Sequence, residues 1–248
     1  MGIDANIHDA SVLELRLSRP EKKNALTLEM YSTLVNQLEW AAKTDDIRAV
    51  CLTGAGDSFC SGNDVADFLS HAHEPDTLAI VVRFLHTLVD FPKPLLAGVH
   101  GDAVGIGITL LLHCDLVLAA DNLSGRLPFT QLGLVPEGGS SLLLPQTLGQ
   151  RLAFELLVEG RPFDARRAQN AGLVNQILPR EQLEPALLNR ARALAQVSPE
   201  AMHLSKQLMR EPQRSQLHDI IDREARLFGE RLTSPEARAA FTAFLQAG

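Results

Sequence analysis

"PLLAGVHGDAVGIGITLLLHCDLVLAA", residues 94–120, is the stretch on which the fold turns. Its two ends, PLLAGVHG and CDLVLAA, are unbroken apolar runs too short for helices, the pattern of strands buried on both faces. The middle, DAVGIGITLLLH, is a glycine-rich approach to a buried helix. Strand, helix and strand in such close succession predict an α/β protein.

The same alternation continues outward in both directions. Upstream, SVLELRL alternates apolar and polar residues as a strand does, and SRPEKKNALT forms a turn. LEMYSTLVNQLEWAA then has helical spacing at Leu28, Tyr31, Leu34, Val35 and Leu38. IRAVCLTG is a second buried strand, ending in the loop AGDSFCSGND, and LAIVVRFLHTLVD is an amphipathic helix. Downstream, GLVNQIL at 172–178 is the last strand pattern, and from about Glu181 every segment is helical in period. The expected division is an α/β core over residues 1–180 and a helical portion over 181–248.

Composition narrows the function. With 248 residues, 46% of them hydrophobic, the chain has enough apolar material for one main core near the usual size limit. No apolar stretch reaches the roughly 18 residues of a membrane span, and MGIDANIHDA lacks the pattern of a signal peptide. A soluble, cytoplasmic protein is expected. A net charge of −7, with no basic block, argues against nucleic acid as a partner. Any anionic ligand must therefore be held by local cations and backbone N–H groups. Cys51, Cys60 and Cys114 lie in or beside apolar segments without a C-x-x-C pair, and read as reduced structural thiols.

The motifs exclude several chemistries. GIGITL and GAGDSF satisfy only the first half of G-x-G-x-x-G, and no phosphate loop of the G-x-x-x-x-G-K-[ST] kind occurs. Ser140 and Ser141 sit in a glycine turn, but Leu142 stands where a nucleophile elbow needs its last glycine. None of the eight histidines has H-E-x-x-H spacing, so no metal site is expected. FCSGND and AVGIGI remain: both follow strands and precede helical segments, so each can aim free backbone N–H groups at one spot. Two such donors make an oxyanion hole. Glu137, in LGLVPEGGSSLLL, would by itself pass for a polar turn residue.

Four stretches in order give the chain a resemblance to the enoyl-CoA hydratase/isomerase, or crotonase, family. RPEKKNALT is similar to the family's CoA-contacting turn, and FCSGNDVADF to its first oxyanion loop. AGVHGDAVGIGITLLLHCDLVLAA is similar to the second oxyanion loop, and LGLVPEGGSSLLLPQTLG to a stretch carrying a catalytic carboxylate. The resemblance runs from residue 12 to at least 241. It implies a crotonase-like spiral of strand-strand-helix units, with a helical C-terminal portion that covers the acyl pocket and builds a homotrimer or dimer of trimers. It also implies an acyl-CoA thioester as substrate, no metal, and no cofactor beyond the coenzyme A of the substrate itself.

Taken position by position, the resemblance places the two oxyanion donors on the backbone N–H of Asn63 and Ile106. Hydratases of the family activate water with two glutamates, whose places here hold Thr109 and Phe129. Glu137 matches instead the base of a subgroup resembling the peroxisomal-type 3-enoyl-CoA to 2-enoyl-CoA isomerases. Its apolar neighbours in sequence, Val135, Pro136 and residues 142–144, are expected to raise its pKa by desolvation. Lys22, Lys23, Ala25, Ser61, Asp64 and Val65 would line the CoA side of the groove, with Gly105, Thr109, Phe129 and Pro136 also against the substrate. Asp64 and Asp115 read as turn or cap residues. FLSHAHEPD, residues 68–76, is expected to border the acyl pocket. The final AFLQAG lacks both the basic residues that many members place on CoA and a peroxisomal S-K-L address. The expected activity is isomerisation of 3-enoyl-CoA to trans-2-enoyl-CoA by one glutamate; hydration or another hydrolytic or lyase reaction, and a non-catalytic acyl-CoA binder, stay open.

Overall fold

The computed structural model describes residues 2–71 and 77–247. The first half runs β1 (Ile3–His8), β2 (Val12–Leu17), α1 (Leu28–Lys43), β3 (Ala49–Gly54), α2 (Val65–Ser70), α3 (Thr77–Asp90), β4 (Leu95–Val99), β5 (Asp102–Val104), α4 (Ile106–Thr109) and β6 (Leu116–Ala120). The second half runs β7 (Ser124–Arg126), α5 (Ser140–Leu148), α6 (Gln150–Leu157), β8 (Phe163–Asp164), α7 (Ala165–Asn170), β9 (Gln176–Leu178), α8 (Arg180–Ala195), α9 (Pro199–Leu232) and α10 (Pro235–Ala247).

A six-stranded sheet has the order β1-β2-β3-β4-β6-β9, parallel except for the antiparallel β1–β2 pair. Leu95, Ala97 and Val99 of β4 face the main core, while Leu96 faces a second one with Val12, Cys51 and Leu118. Leu183, Leu187, Ala191 and Ala195 of α8 cover that second face. Burial on both sides is why these strands read as continuous apolar runs.

Each of β4 and β6 passes directly into a short strand of a second sheet, of order β5-β7-β8. β5 and β7 pair in parallel, and Cys60 bridges to Ala103 of β5 from the preceding turn of chain. Strand, strand and helix thus repeat along the chain, as in the crotonase-like spiral. No described helix is long and apolar enough to cross a membrane.

The strands depart from the sequence expectation at four places. β1 has exposed residues at Asp4, Ala5 and Asn6, so this edge strand carries no apolar period to read. β5, β7 and β8 are three residues or fewer and leave no pattern. In SVLELRL the polar positions do not face solvent: α8 covers them, and Glu14 is only 2% exposed. Burial alone would raise the Glu14 pKa, but hydrogen bonds with His8, Thr53 and Arg16 outweigh it and hold the carboxyl below its ordinary value. Finally, the strand expected over 172–178 is confined to β9, because Gly172, at φ +80, closes α7 and turns the chain first.

Candidate active site

α4 is the pivot on which the site is built. The expected buried helix is a single α turn that continues as a 3-10 turn over Leu110–His113, so its dipole is small. What it supplies is position. Gly105 caps it at φ +55, and the Gly105 N–H is spent on Arg126 O at 2.9 Å. Among the described residues the next N–H, that of Ile106, has no protein acceptor, and neither has the N–H of Asn63.

The two loops touch through backbone. Phe59 and Cys60 donate their N–H groups to Asp102 O, each at 3.1 Å, and Val104 N–H returns a bond to Cys60 O at 2.9 Å. A Cβ on Gly107 would overlap that same Cys60 carbonyl oxygen, so only glycine permits the approach. On its other side the Asn63 loop is held by Leu26 N–H on Gly62 O, at 2.8 Å, and by the buried Tyr31 hydroxyl, which donates to Asn63 Oδ1 at 2.6 Å. Two free N–H groups on facing loops have the composition of an oxyanion hole.

Glu137, 8% exposed, shares a cavity with Asn63. Gly138 and Gly139 follow it at φ +71 and +73, a turn that no other residue type adopts easily. A Cβ on Gly138 would come 3.0 Å from Thr109, which measures how closely the turn lies on α4. The Glu137 backbone carbonyl accepts from Ser140 Oγ at 2.6 Å, and the Gly138 carbonyl bonds to the buried His113 ring at 2.8 Å. The Thr109 hydroxyl donates to the Glu137 carboxylate. Burial pushes the Glu137 pKa up from its ordinary 4.5 to about 8, with the Thr109 bond opposing and the nearby Glu224 charge adding to the rise.

Thr109 therefore does more than fill the place of a carboxylate. Its hydroxyl stabilises the ionised form of Glu137, so Thr109→Val should raise the carboxyl's titration midpoint further, by about one to two pH units for the loss of one charge-assisted bond. The protonated-carboxyl band in infrared difference spectra reads that midpoint directly.

The cavity beside Glu137 is built from residues distant in sequence. Val135, Pro136 and residues 142–144 do not line the cavity next to the carboxylate. Its wall comes from Phe68 of α2, Leu78, Val81, Val82 and Leu85 of α3, and Ile221, Ala225 and Phe228 of α9. Asn63 and Gly138 complete a space of about 20 Å³. Phe68 thus borders the pocket as expected, while residues 72–76 of the same stretch lie outside the described residues. Phe129 is buried in the core and, like Pro136 and Ile106, is not part of the cavity wall.

The residues expected on the CoA side do come together. Lys23 and Asn24 both adopt positive φ, which folds RPEKKNALT back so that Ser61 N–H meets Lys23 O at 2.9 Å. Arg19 Nη1 holds Ala25 O at 2.7 Å, and Arg19 Nη2 pairs with Asp64 at 3.0 Å. Asp64 Oδ1 also accepts from Asp67 N–H in the first turn of α2, which Val65 opens, so Asp64 is the cap it was expected to be. Asp115 is likewise structural: it accepts from Leu95 N–H and pairs with Lys206 and Arg210. Lys23 pairs with Asp102 at 2.8 Å and is 64% exposed, a surface pair of the kind worth about 1 kcal/mol or less. Lys22 has no ion pair among the described residues and is the freer cation. All three cysteines are free thiols, with pKa values pushed up to about 12 by burial.

The residue that sequence reasoning missed is Glu224. It is 6% exposed and reaches from α9 to the glycine turn, accepting from Gly139 N–H at 2.6 Å and Ser141 N–H at 2.9 Å. A signal was present: Leu217, Ile221 and Phe228 form one apolar face of α9, and Glu224 is an acid set within it.

The spiral of strand-strand-helix units thus carries two loops with unpaired N–H groups and a desolvated carboxylate, groups suited to proton transfer next to a developing oxyanion. The chain belongs to the enoyl-CoA hydratase/isomerase family, whose model matches residues 8–248. It is 37% identical over 242 residues to enoyl-CoA delta isomerase 2 of Rattus norvegicus, an alignment covering 96% of this chain and 62% of the rat protein. It thus spans less than two thirds of that relative. It is also 34% identical over 239 residues to 2,3-dehydroadipyl-CoA hydratase of Escherichia coli, covering 95% and 92% of the two chains. An enoyl-CoA hydratase/isomerase from Pseudoalteromonas atlantica superposes with a TM-score of 0.93 at 39% identity, covering 100% of this chain and 98% of the other.

Proposed function

We propose that this protein shifts the double bond of a 3-enoyl-CoA into conjugation, giving trans-2-enoyl-CoA, with Glu137 as the single base. The observation that carries the reading is that Glu137 is the sole ionisable side chain among the described residues lining the apolar cavity. Family hydratases hold water between two glutamates; Thr109 and Phe129 occupy those places, and neither can act as a base. One carboxylate in an apolar pocket suits proton transfer between two carbons.

The Glu137 carboxylate takes a proton from C2. The C–H electron pair moves toward the thioester carbonyl, and the resulting dienolate oxygen is received by the N–H groups of Asn63 and Ile106. Each such donor is worth about 2.7 to 4 kcal/mol to an oxyanion, which together offset a substantial part of the cost of forming it. Glu137 then returns the same proton to C4, and the carbonyl re-forms with the double bond between C2 and C3. A base with a raised pKa is matched to both halves of this transfer. Lys22 and Lys23, with Ala25, Ser61, Asp64 and Val65, take the CoA portion, and the helical portion assembles the protein as a trimer or paired trimers.

The test is an ultraviolet assay for conjugation on trans-3-hexenoyl-CoA with mass analysis of the product. Growing absorbance at constant mass is expected; a product heavier by one water would mean hydration, the activity named for the Escherichia coli relative. The rate should also rise with pH, reach half its maximum near pH 8 and level off about one unit higher, because only the ionised Glu137 can accept the first proton. A flat profile between pH 6 and 9 would remove Glu137 from the mechanism.

A further inference from the structure

Nothing in the proton transfer just described uses Glu224, yet a carboxylate so deeply placed is costly unless it is bonded. Its two bonds go to the N–H groups of Gly139 and Ser141, on either side of the first residue of α5. The turn they pin has little stiffness of its own, since Gly138 and Gly139 are both in the left-handed region. The bonds from Ser140 and His113 fix its carbonyls. Glu224 fixes its N–H groups, and does so from another helix. On that helix Ile221, Ala225 and Phe228 are acyl-pocket wall, so Glu224 and the wall share one face of α9.

We propose that Glu224 is a positioning residue for Glu137: it clamps the base-bearing turn to α9, so that an acyl group seated against Ile221, Ala225 and Phe228 also sets the position of the base. The proposal rests on the isomerase reading for its kinetic consequence, but not for its structural one. The electrostatic surroundings are simple. Tyr31 of α1 and Cys60 of the loop after β3 face Glu137, with the phenol held well above its usual 10 and the thiol at about 12. His113, depressed to about 4, sits on the neighbouring 3-10 turn. All three are neutral near pH 8, the described cavity-lining side chains of α2 and α3 are apolar, and α4 offers Glu137 the Thr109 hydroxyl. Glu224 is the neighbour whose charge Glu137 feels.

Glu224→Gln keeps the shape but offers one acceptor oxygen and no charge, and Glu224→Ala removes both bonds. Both are to be made in the full chain. For trans-3-hexenoyl-CoA the expected falls in kcat are about tenfold and about a hundredfold, the scale of small misplacements of a reacting group, with KM changed by less than about threefold. The infrared titration midpoint of Glu137, identified by its absence in Glu137→Gln, should move to lower pH in Glu224→Gln. Variants that keep native kcat and an unmoved midpoint, and lose only thermal stability, would reduce Glu224 to a helix cap and overturn the proposal. If the native protein shows no isomerisation, the function reading fails by itself and amide hydrogen exchange at Gly139 and Ser141 decides: faster exchange there in Glu224→Gln supports the clamp, unchanged exchange sinks it. If the alanine variant does not fold, the isosteric glutamine variant carries the decision.

Discussion

Glu137→Gln is expected to lower the rate of double-bond migration by about three to four orders of magnitude, the upper part of the range for removing a general base. The upper part applies because one group performs both transfers, so its loss disables deprotonation at C2 and reprotonation at C4 together. Binding should survive. The glutamine amide has nearly the shape of the carboxyl and can still accept from the Thr109 hydroxyl, and no contact on the CoA side changes. The loss should therefore appear in kcat, with KM little altered. The same substitution makes a second, opposite prediction for stability. The Glu137 pKa is about 8 in the folded protein against an ordinary 4.5. Because the folded value is the higher, the carboxyl's contribution to stability is full below about 4.5 and is lost as pH rises through about 8. Glutamine does not titrate. The melting temperature of the variant should match or exceed that of the native protein, and the gap should widen from about pH 5 to about pH 8 and level off above it. A variant that is inactive because it is unfolded would show the reverse.

Gly107→Ala should give the next largest loss. The added methyl would strike the Cys60 carbonyl oxygen, and both colliding parts are backbone, α4 on one side and the loop after β3 on the other. No side chain can rotate away, so the loops must separate, and with them the N–H groups of Asn63 and Ile106. Losing the aim of one such donor costs about a hundred- to a thousandfold in kcat. The strain should also cost about 1 to 3 kcal/mol of stability, the usual penalty for an inserted methylene in a packed region. Gly149→Ala is the control. There φ is +78 but nothing lies within 4 Å of the added carbon, so the fold is strained while the site is untouched. Measured side by side, Gly149→Ala should lower the melting temperature and keep kcat, and Gly107→Ala should lower both. A Gly107→Ala protein with native kcat would mean that these loops do not hold the oxyanion.

How much of this could be read from the sequence follows from what kind of interaction carries each part. The buried strands β3, β4 and β6 and the helices α1 and α3 announce themselves because an apolar face repeats along a single segment. Glu137 is legible only through the resemblance of the stretch around it, since a proline and glycines beside one carboxylate read by themselves as a polar turn. The pocket is not legible, because its wall is assembled from Phe68, Leu85, Ile221 and Phe228, residues brought together only by the spiral. Thr109 looks like the neutral occupant of a lost carboxylate, and its hydroxyl's bond to Glu137 depends on how closely Gly138 lets the turn approach α4. Glu224 hides for the same reason. Its partners are backbone N–H groups more than eighty residues earlier, which leave no trace in the order of side chains.

The space beside Glu137, about 20 Å³, has room for roughly one water molecule, and no acyl chain fits it as it stands. Seating a ligand there displaces contacts among the side chains of α2, α3 and α9 that form its wall. A hydrocarbon tail recovers that effort by burying its own surface as it advances, whereas a tail ending in a charge recovers little and must also shed its hydration. Selectivity then arises at admission, as a threshold that a tail either crosses or does not. Preference among acyl chains belongs to the association rate, and chains of different length, once inside, should turn over at similar speed.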